Sequence, residues 1–488
     1  MNIVVNSQYF IRNEKKCSYI IYVGDYALAK AGGFSWVNPI PPFMGFLLSL
    51  FNGEEFDSSI KRGSEMLNIS EDKVCSLVNK LINNEYSYMS SFKGVKFSFP
   101  AKLLIESTDE SKTYTAIDAN PFDEFVIHRL SVPAYLNIMI TSKCGTNCVY
   151  CYADRSRKDD MSTDIIVNLI KGAKEQGVAG ILISGGDVFA HAEWRSILKT
   201  LCDTGNIPFL STKIPLDESA IFYLKEIGLE MIQYSIDSFE PSMVKRNLRI
   251  SSAEDYVTKL MDTLLFCDRL GLSINVKTVL TKHNSTLGNM EEIFHLLSKH
   301  NSVTSWNIVP AFCSTYKPDY EEYKPREEAL LTIAGYLATL KSHFQISMES
   351  VKKKSSPFKR FEAVDDFVKK NKGCGANTYS MCVFSNGKVS VCEMLYYNDL
   401  FYIGDVNISS IREIWNSEKA LALYSFKHVG PKNEESPCYE CKVQSTCRKQ
   451  PLRKICYADI VKLYGKDKWD YPDPRCPQAP NCDLGKIM

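Results

Sequence analysis

The feature that most constrains the fold of this chain is a set of three cysteines on one short loop. They stand in the sequence Cys144-Gly-Thr-Asn-Cys148-Val-Tyr-Cys151, directly after an apolar stretch, 134–140, that predicts a strand. Iron–sulfur cubes normally take four thiolates, so a loop with three predicts a cluster whose fourth iron is open to a small molecule. A zinc loop is the alternative, but tetrahedral zinc needs a further pair of cysteines or histidines. Between Cys151 and residue 200 the sequence offers only His191.

This Cx3Cx2C spacing, with the aromatic Tyr150 before the last cysteine, resembles the signature of the radical S-adenosylmethionine (SAM) enzymes. The resemblance implies a [4Fe–4S] cluster on Cys144, Cys148 and Cys151, with SAM bound at the open iron. It also implies cleavage of SAM to a 5′-deoxyadenosyl radical, with electrons from an external donor of flavodoxin or ferredoxin type. In such enzymes the cofactor carries the difficult chemistry, while the protein supplies position and excludes water.

Composition and charge exclude several classes of protein. The net charge of the 488 residues is +1, which argues against a dedicated nucleic-acid surface. The first residues lack the basic start and long apolar core of a signal peptide, and the longest apolar run, 43–51, is too short to cross a bilayer. Without an export signal, 17 cysteines favour metal ligation over disulfides. We therefore expect a cytoplasmic protein that binds neither nucleic acid nor membrane.

A chain of this length predicts about three domains, and residues 1–100 have a character of their own. The pattern predicts a strand at 19–23, helices at 41–51 and 56–67, a third helix after the N-cap Ser70, and a hairpin at 92–99 that turns at Gly94. Strands, three helices and a wing resemble a winged helix-turn-helix.

Two functions compete for this winged-helix-like domain. A DNA-binding helix should be basic, but the third helix carries a mixed set of charges without arginine, namely Glu71, Asp72, Lys73, Lys80 and Glu85. The same fold resembles the recognition element of enzymes that modify ribosomally made peptides, in which a leader segment adds as a strand to a sheet edge. We favour peptide recognition; an inert structural appendage is the third possibility.

Residues 133–345 alternate strands with helices. Strands are predicted at 135–140, 180–184, 209–212, 231–236, 273–279 and 306–309, and the intervening helices end at Gly177, Gly205, Gly228 and Gly271. This alternation predicts an α/β fold with parallel strands and right-handed crossovers. Six βα units resemble the partial (βα)6 barrel of the radical SAM family, whose chemistry lies at the C-terminal strand ends. Residues 101–132 are predicted to be a linker.

The second predicted strand ends in Gly185-Gly186-Asp187. Glycines at a strand end allow the backbone to approach a ligand closely. The triplet resembles the family's Gly-Gly-Glu motif, which grips the amino group of the methionine moiety. Asp187 departs from that motif because it is one methylene shorter than the glutamate, and the resemblance implies that its carboxylate contacts the amino group.

Four further residues are weaker candidates for SAM binding. Ser235 and Asp237 end the fourth predicted strand, where the family often has a serine and an acid near the ribose and methionine. Lys213 and Arg249 could each pair with the ligand carboxylate, because a cation offsets a desolvated negative charge. A surface charge or a helix cap explains each of them almost as well.

The segment 374–488 contains nine cysteines and few apolar residues, so metal is expected to organise it. A hairpin is predicted around Ser385-Asn-Gly-Lys388. The patterns Cys374-x12-Gly387-x4-Cys392 and Cys438-x2-Cys441-x5-Cys447 resemble the SPASM domain, which carries two auxiliary [4Fe–4S] clusters. A lysine-rich bridge, 346–373, is predicted to precede it.

The resemblance implies a ligand set for each auxiliary cluster. The first would use Cys374, Cys382, Cys392 and Cys456, and the second Cys438, Cys441, Cys447 and either Cys476 or Cys482. The sequence departs from the usual pattern because Pro451 stands where the next cysteine is expected. A zinc ribbon is the alternative for these CxxC pairs. Cys17, Cys75, Cys202, Cys267 and Cys313 are predicted to be buried free thiols.

Together these resemblances imply a maturase that cross-links a ribosomally made precursor peptide carrying a leader segment. A thioether is the expected product, ahead of a carbon–carbon bond, and bond formation on a substrate radical would release an electron to the auxiliary clusters. Formylglycine formation in a sulfatase is a second possible activity. A non-catalytic iron–sulfur sensor is the third.

Overall fold

A computed structural model describes residues 2–24, 36–107, 114–117, 119–154, 156, 159–314, 317, 319–348, 360–371, 373–395, 398–425, 433–448 and 454–482. These residues form two compact units. The first comprises Met1–Leu136 with Ala173–Gly180, and the second Asn137–Gly172 with Ile181–Met488. Pro451 and residues 349–359 of the predicted bridge lie outside the described residues.

The described strands are β1 (Asn2–Val5), β2 (Tyr9–Glu14), β3 (Cys17–Tyr22), β4 (Val37–Ile40), β5 (Asn52–Glu55), β6 (Tyr88–Phe92), β7 (Val95–Phe99), β8 (Leu104–Glu106), β9 (Tyr114–Ile117), β10 (Tyr135–Thr141), β11 (Gly180–Gly185), β12 (Ser211–Thr212), β13 (Met231–Ser235), β14 (Ser273–Leu280), β15 (Val303–Pro310), β16 (Gln345–Met348), β17 (Ser380–Val383), β18 (Lys388–Ser390) and β19 (Tyr402–Asp405).

The described α-helices are α1 (Pro42–Leu48), α2 (Phe56–Leu67), α3 (Glu71–Asn79), α4 (Thr163–Glu175), α5 (Trp194–Asp203), α6 (Glu218–Glu226), α7 (Pro241–Leu248), α8 (Ala253–Leu270), α9 (Leu287–Leu297), α10 (Glu327–Leu337), α11 (Val364–Lys370), α12 (Ile411–Trp415), α13 (Glu418–Ser425), α14 (Gln444–Arg448) and α15 (Tyr457–Tyr464).

In the first unit the strands form sheets in the orders β5-β1-β8 and β4-β3-β2-β9, with β6 and β7 as a separate hairpin. The three predicted helices are present as α1 to α3, and α3 begins after Ser70 as predicted. Its apolar face buries Val74 and Val78 completely. Strands β8 and β9 fall in the predicted linker and pair with β1 and β2. The assignment of this unit to the winged-helix class stays a prediction.

In the second unit all six predicted strands are present, as β10 to β15. Strands β12 to β16 form one sheet with parallel neighbours, whereas β10 and β11 belong to another. The α/β segment predicted to be a partial barrel is therefore built from open sheets and not from a closed barrel. The four predicted cap glycines all have positive φ, for example 68° at Gly271 after α8, where a Cβ would be strained.

The C-terminal segment contains the predicted hairpin, in which β17 pairs antiparallel with β18. It extends the sheet of the first barrel strand, in the order β11-β10-β17-β18-β19, which the sequence did not predict. Within the described residues, no helix combines the length and apolar character needed to cross a bilayer.

Candidate cluster and cofactor site

The cysteine loop follows β10 and is anchored on the end of α7. The backbone N–H groups of Asn147 and Val149 donate to the carbonyls of Leu248 and Asn247, each at 2.9 Å. The last carbonyls of a helix have no partner within the helix, so α7 presents acceptors that the loop uses. Arg249, the next residue, adopts the left-handed conformation that ends the helix.

The three predicted cluster thiols lie together on this loop. The hydroxyl of Thr146 is 3.4 Å from the Cys144 sulfur and 3.3 Å from the Cys148 sulfur, and the Cys151 N–H donates to the Cys148 carbonyl at 3.1 Å. Burial raises the pKa of Cys148 to about 11, against the opposing charge of Lys213.

A cavity of about 340 Å³ opens beside the loop. Its walls are formed by the first cysteine, the three residues after it and the three residues that follow α7, namely Cys144, Gly145, Thr146, Asn147, Arg249, Ile250 and Ser251. The structure thus brings the predicted ligand Cys144 and the predicted carboxylate partner Arg249 to one cavity.

The two glycines at the end of β11 pack directly on the start of the cysteine loop. The N–H of Gly186 donates to the Thr141 carbonyl at 2.7 Å, and the N–H of Asp187 to the Lys143 carbonyl at 2.9 Å. A Cβ on Gly186 would lie only 2.0 Å from the oxygen of Lys143. Glycine is therefore required at this position for the strand end to reach the loop.

The carboxylate of Asp187 is buried and accepts hydrogen bonds from its own chain. One oxygen accepts from the N–H of Phe189 at 3.1 Å. The other accepts from the Thr212 hydroxyl at 2.7 Å and the Lys213 N–H at 3.2 Å. Burial raises the pKa of Asp187, and these bonds oppose the shift. Asp187 thus connects β11 with the end of β12 through hydrogen bonds. Its contact with the amino group of SAM stays a prediction.

Three other predicted residues, Tyr150, Lys213 and Ser235, lie close to Asp237. Its carboxylate accepts from the Tyr150 hydroxyl and from the Lys213 ammonium at 3.0 Å, and from the N–H of Val279 at 3.0 Å. The Lys213 ammonium also lies 3.4 Å from the carbonyl of Ser235. The side chains of Lys213 and Asp237 are 12% and 1% exposed, so this is a nearly buried ion pair.

The C-terminal cysteines form two groups. In the first group, the charges of Cys374, Cys392 and Cys456 act on one another. Burial raises the pKa of Cys392 to about 12, and the charge of Cys374 adds to the shift. The pKa of Cys456 is also raised by burial and by the charges of Cys374 and Cys392. Cys382 is buried, which raises its pKa, and the charges of Glu393 and Cys392 add to this shift.

The second group distinguishes between the two late cysteines. Cys438, Cys441, Cys447 and Cys476 line one small cavity. Cys482 does not line it: its sulfur accepts instead from the Arg360 guanidinium at 3.7 Å and from the Tyr464 hydroxyl at 3.6 Å. The structure therefore brings Cys476, and not Cys482, to the other three cysteines.

All 17 cysteines lie in described segments and are free thiols. Cys17, Cys267 and Cys313 are buried, as predicted, whereas Cys75 and Cys202 are only partly buried. Among the residues that the structure describes, no three His, Cys, Asp or Glu side chains converge as the ligands of a single metal ion would.

Comparison with known protein families matches residues 138–297 to the radical SAM superfamily. Residues 138–297 therefore form a radical SAM domain. Residues 374–442 match the SPASM domain, described as an iron-sulfur cluster-binding domain. The cofactors of these two domains are SAM and iron–sulfur clusters.

Two curated relatives match less than a third of the chain each. GTP 3′,8-cyclase of Tolumonas auensis is 27% identical over 161 residues, which is 30% of this chain and 45% of that protein. A probable GTP 3′,8-cyclase of Methanococcus maripaludis is 31% identical over 114 residues, 22% of this chain and 38% of that protein. The chain spans less than half the length of these two relatives.

Solved structures match over nearly the whole chain. Streptococcus suis SuiB bound to the precursor peptide SuiA aligns with a TM-score of 0.61 and 13% identity, covering 97% of this chain and 100% of that one. SuiB bound to S-adenosylmethionine aligns with a TM-score of 0.58 and 14% identity, over 97% of this chain and 100% of that one. At these identities the likeness establishes the fold.

The residues of the two matched domains fit these cofactors. The loop supplies three thiols, two of which touch the same Thr146 hydroxyl, beside a cavity that Arg249 also lines. In the second C-terminal group, the buried guanidinium of Arg448 is 3.6 Å from the Cys438 sulfur. A buried cation is compatible with an anionic cluster there, because a buried charge requires an opposite one.

The sequence did not reveal the amides that hold Asp237. Asn284 and Asn289 both donate to its main-chain carbonyl, at 3.0 and 3.1 Å. The Thr281 hydroxyl in turn donates to the Asn284 side-chain oxygen at 3.1 Å. Asn284 lies in the turn after β14, where asparagine is a common residue, and Asn289 lies in the first turn of α9, so no pattern marked these two.

The sequence also did not reveal the buried Glu393 next to Cys392. Its carboxylate accepts from the Asn137 amide at 2.5 Å, and the Asn137 oxygen accepts from the Ser184 hydroxyl at 2.7 Å. Burial raises the pKa of Glu393, against the opposing effect of the Asn137 bond. A hydrogen-bonded chain thus runs from β11 through β10 to the first cysteine group.

Proposed function

We propose that this chain is a radical SAM maturase that cross-links a ribosomally made precursor peptide, with a thioether between a cysteine sulfur and a carbon as its product. One observation carries the proposal: the chain combines a three-cysteine loop with two further cysteine groups in a fold that aligns with SuiB over 97% of its length. SuiB was solved with its precursor peptide SuiA. A peptide substrate for this chain is inferred by that analogy.

The proposed division of labour follows the domain boundaries predicted from the sequence. Residues 1–100 recognise the leader of the precursor, and residues 133–345 hold SAM and the reacting part of the peptide. Residues 374–488 hold the auxiliary clusters. An extended leader that adds to a strand edge gains affinity from backbone hydrogen bonds and selectivity from side-chain pockets.

The proposed ligands of the SAM-binding cluster are Cys144, Cys148 and Cys151. This cluster and SAM supply the 5′-deoxyadenosyl radical that removes a hydrogen atom from the substrate. Arg249, in the cavity beside Cys144, is proposed to pair with the SAM carboxylate. Lys213 is less suited to that role because it is already paired with Asp237, and we propose that it positions Tyr150 through Asp237.

The auxiliary clusters are proposed to accept one electron per cross-link. When a substrate carbon radical forms a bond to a cysteine sulfur, the thiol loses its proton and one electron must leave. Cys374, Cys382, Cys392 and Cys456 are the proposed ligands of the first acceptor. The second is assigned to Cys438, Cys441, Cys447 and Cys476, because these four line one cavity.

The test is co-expression with short cysteine-containing peptides encoded beside the gene, followed by mass spectrometry. The expected product has lost two hydrogen atoms and no longer reacts with a thiol-alkylating reagent. The same core peptide without its leader is the matched control and should be modified far more slowly. Conversion of a cysteine to formylglycine would contradict the proposal. So would a protein that cleaves no SAM under reducing, anaerobic conditions, which is the behaviour of a sensor.

A further inference from the structure

A single arginine lies buried among the second group of cysteines. Arg448 directly follows Cys447 at the end of α14 and is 1% exposed. It lines the same cavity as Cys438, Cys441 and Cys476. Its position inside a cysteine group distinguishes it from the exposed lysines and arginines of the chain.

The contacts of Arg448 place its charge beside the sulfur of Cys438. One terminal nitrogen donates to the carbonyls of Asp470, at 2.6 Å, and of Tyr471. The same nitrogen is 3.6 Å from the sulfur of Cys438. Two backbone carbonyls therefore fix the guanidinium plane, and the third contact is to a proposed cluster ligand.

Burial of a guanidinium is costly unless an opposite charge compensates. A [4Fe–4S] cube with four thiolate ligands is anionic, and reduction adds a further negative charge. A fixed cation beside it stabilises the reduced form more than the oxidised form, because the attraction grows with the charge of the cluster. Hydrogen bonds to the sulfurs act in the same direction.

We infer that Arg448 is the counter-charge of the second auxiliary cluster and raises its reduction potential above that of the first. The inference rests on the cluster assignment in the proposed function. The first group has a buried carboxyl group, Glu393, immediately after its ligand Cys392. An electron released at the substrate would then be held preferentially on the second cluster.

The test uses the full chain with Cys144, Cys148 and Cys151 replaced by alanine, so that only the two auxiliary clusters remain. Reductive titration followed by electron paramagnetic resonance gives both midpoint potentials, and Cys476→Ala identifies the signal of the second cluster. Arg448→Met removes the charge, whereas Arg448→Lys keeps it. We expect Arg448→Met to weaken reduction of the second cluster at least tenfold, which is about 59 mV for one electron. The midpoint potential of the first cluster should not change, and Arg448→Lys should restore most of the potential that the second cluster loses in Arg448→Met.

Equal potentials in the parent and Arg448→Met, with iron content retained, would overturn the inference. If Arg448→Met loses the second cluster and Arg448→Lys keeps it, the charge is again supported as the stabilising feature. Loss of the cluster in both variants would overturn it in favour of a packing role. If the parent shows no cubane signal at all, the cluster assignment itself fails, which separates that failure from failure of the inference.

Discussion

The hydroxyl of Tyr150 donates to the carboxylate of Asp237, which joins the cysteine loop to the end of β13. Asp237 is itself held by Lys213 and by the N–H of Val279. The aromatic residue of the cysteine motif is therefore part of a buried polar network that fixes the loop on the barrel strands.

Tyr150→Phe keeps the ring and removes this hydrogen bond. Because the acceptor is charged and buried, we expect the free energy of unfolding to fall by about 1.5–3 kcal/mol. Denaturant unfolding under anaerobic conditions measures the change. Tyr86→Phe is the matched control, since Tyr86 is 81% exposed and should have no effect. An unchanged Tyr150→Phe protein would show that the bond does not anchor the loop.

Lys213→Met leaves the Asp237 carboxylate buried without its cation. Breaking a buried pair costs about 3–5 kcal/mol, whereas Lys213→Met combined with Asp237→Asn removes both charges. We expect the double variant to lose less unfolding free energy than the two single variants lose together. The coupling energy between the two sites should be above about 1 kcal/mol. A double-mutant cycle from denaturant unfolding measures this coupling. Additive losses would mean that Lys213 acts independently of Asp237.

Gly186→Ala places a methyl group against the carbonyl of Lys143 and should displace the cysteine loop. We expect a loss of about 1–3 kcal/mol together with a lower iron content after reconstitution. Gly335→Ala is the control, because Gly335 lies inside α10 with no atom near its Cβ position. That variant should gain about 0.5–1 kcal/mol. Equal behaviour of the two variants would refute the close approach.

The fold was largely predictable because its signal is local. All six barrel strands, the helix α2 with its bounds Phe56–Leu67, the cap glycines and the hairpin at Gly387 follow from periodicity and turn chemistry. Strand β16 and the pairing of β10 with β17 were missed, since neighbours in a sheet are set by packing between segments distant in sequence.

The site was predictable in its residue types but not in its contacts. The structure brings four of the predicted residues close to the cysteine loop, namely Gly186, Asp187, Lys213 and Asp237. The carboxylates of Asp187 and Asp237, however, accept hydrogen bonds from other groups of the chain. The choice between Cys476 and Cys482 could not be made from spacing, because both follow the same irregular segment. The structure separates them, because Cys476 lines the cavity of the other three cysteines, whereas Cys482 contacts Arg360 and Tyr464.

Cys476→Ala should therefore reduce the iron content of the anaerobically reconstituted protein, which is about twelve per chain for three cubes. The loss follows because the second auxiliary cluster loses a ligand. Cys482→Ala is the matched control and should leave the iron content unchanged. Colorimetric iron and sulfide analysis measures both variants. If the Cys482 variant lost iron and the Cys476 variant kept it, the proposed ligand set would be wrong.

The central claim is that three thiols on one loop hold a cluster with an iron open to SAM. The most direct measurement is the electron paramagnetic resonance spectrum of the reduced, reconstituted protein before and after addition of SAM. We expect a [4Fe–4S] signal that SAM changes, and the loss of that signal when Cys144, Cys148 and Cys151 are all replaced by alanine. A spectrum that SAM leaves unaltered, or a SAM-responsive signal that survives the triple replacement, would contradict the account.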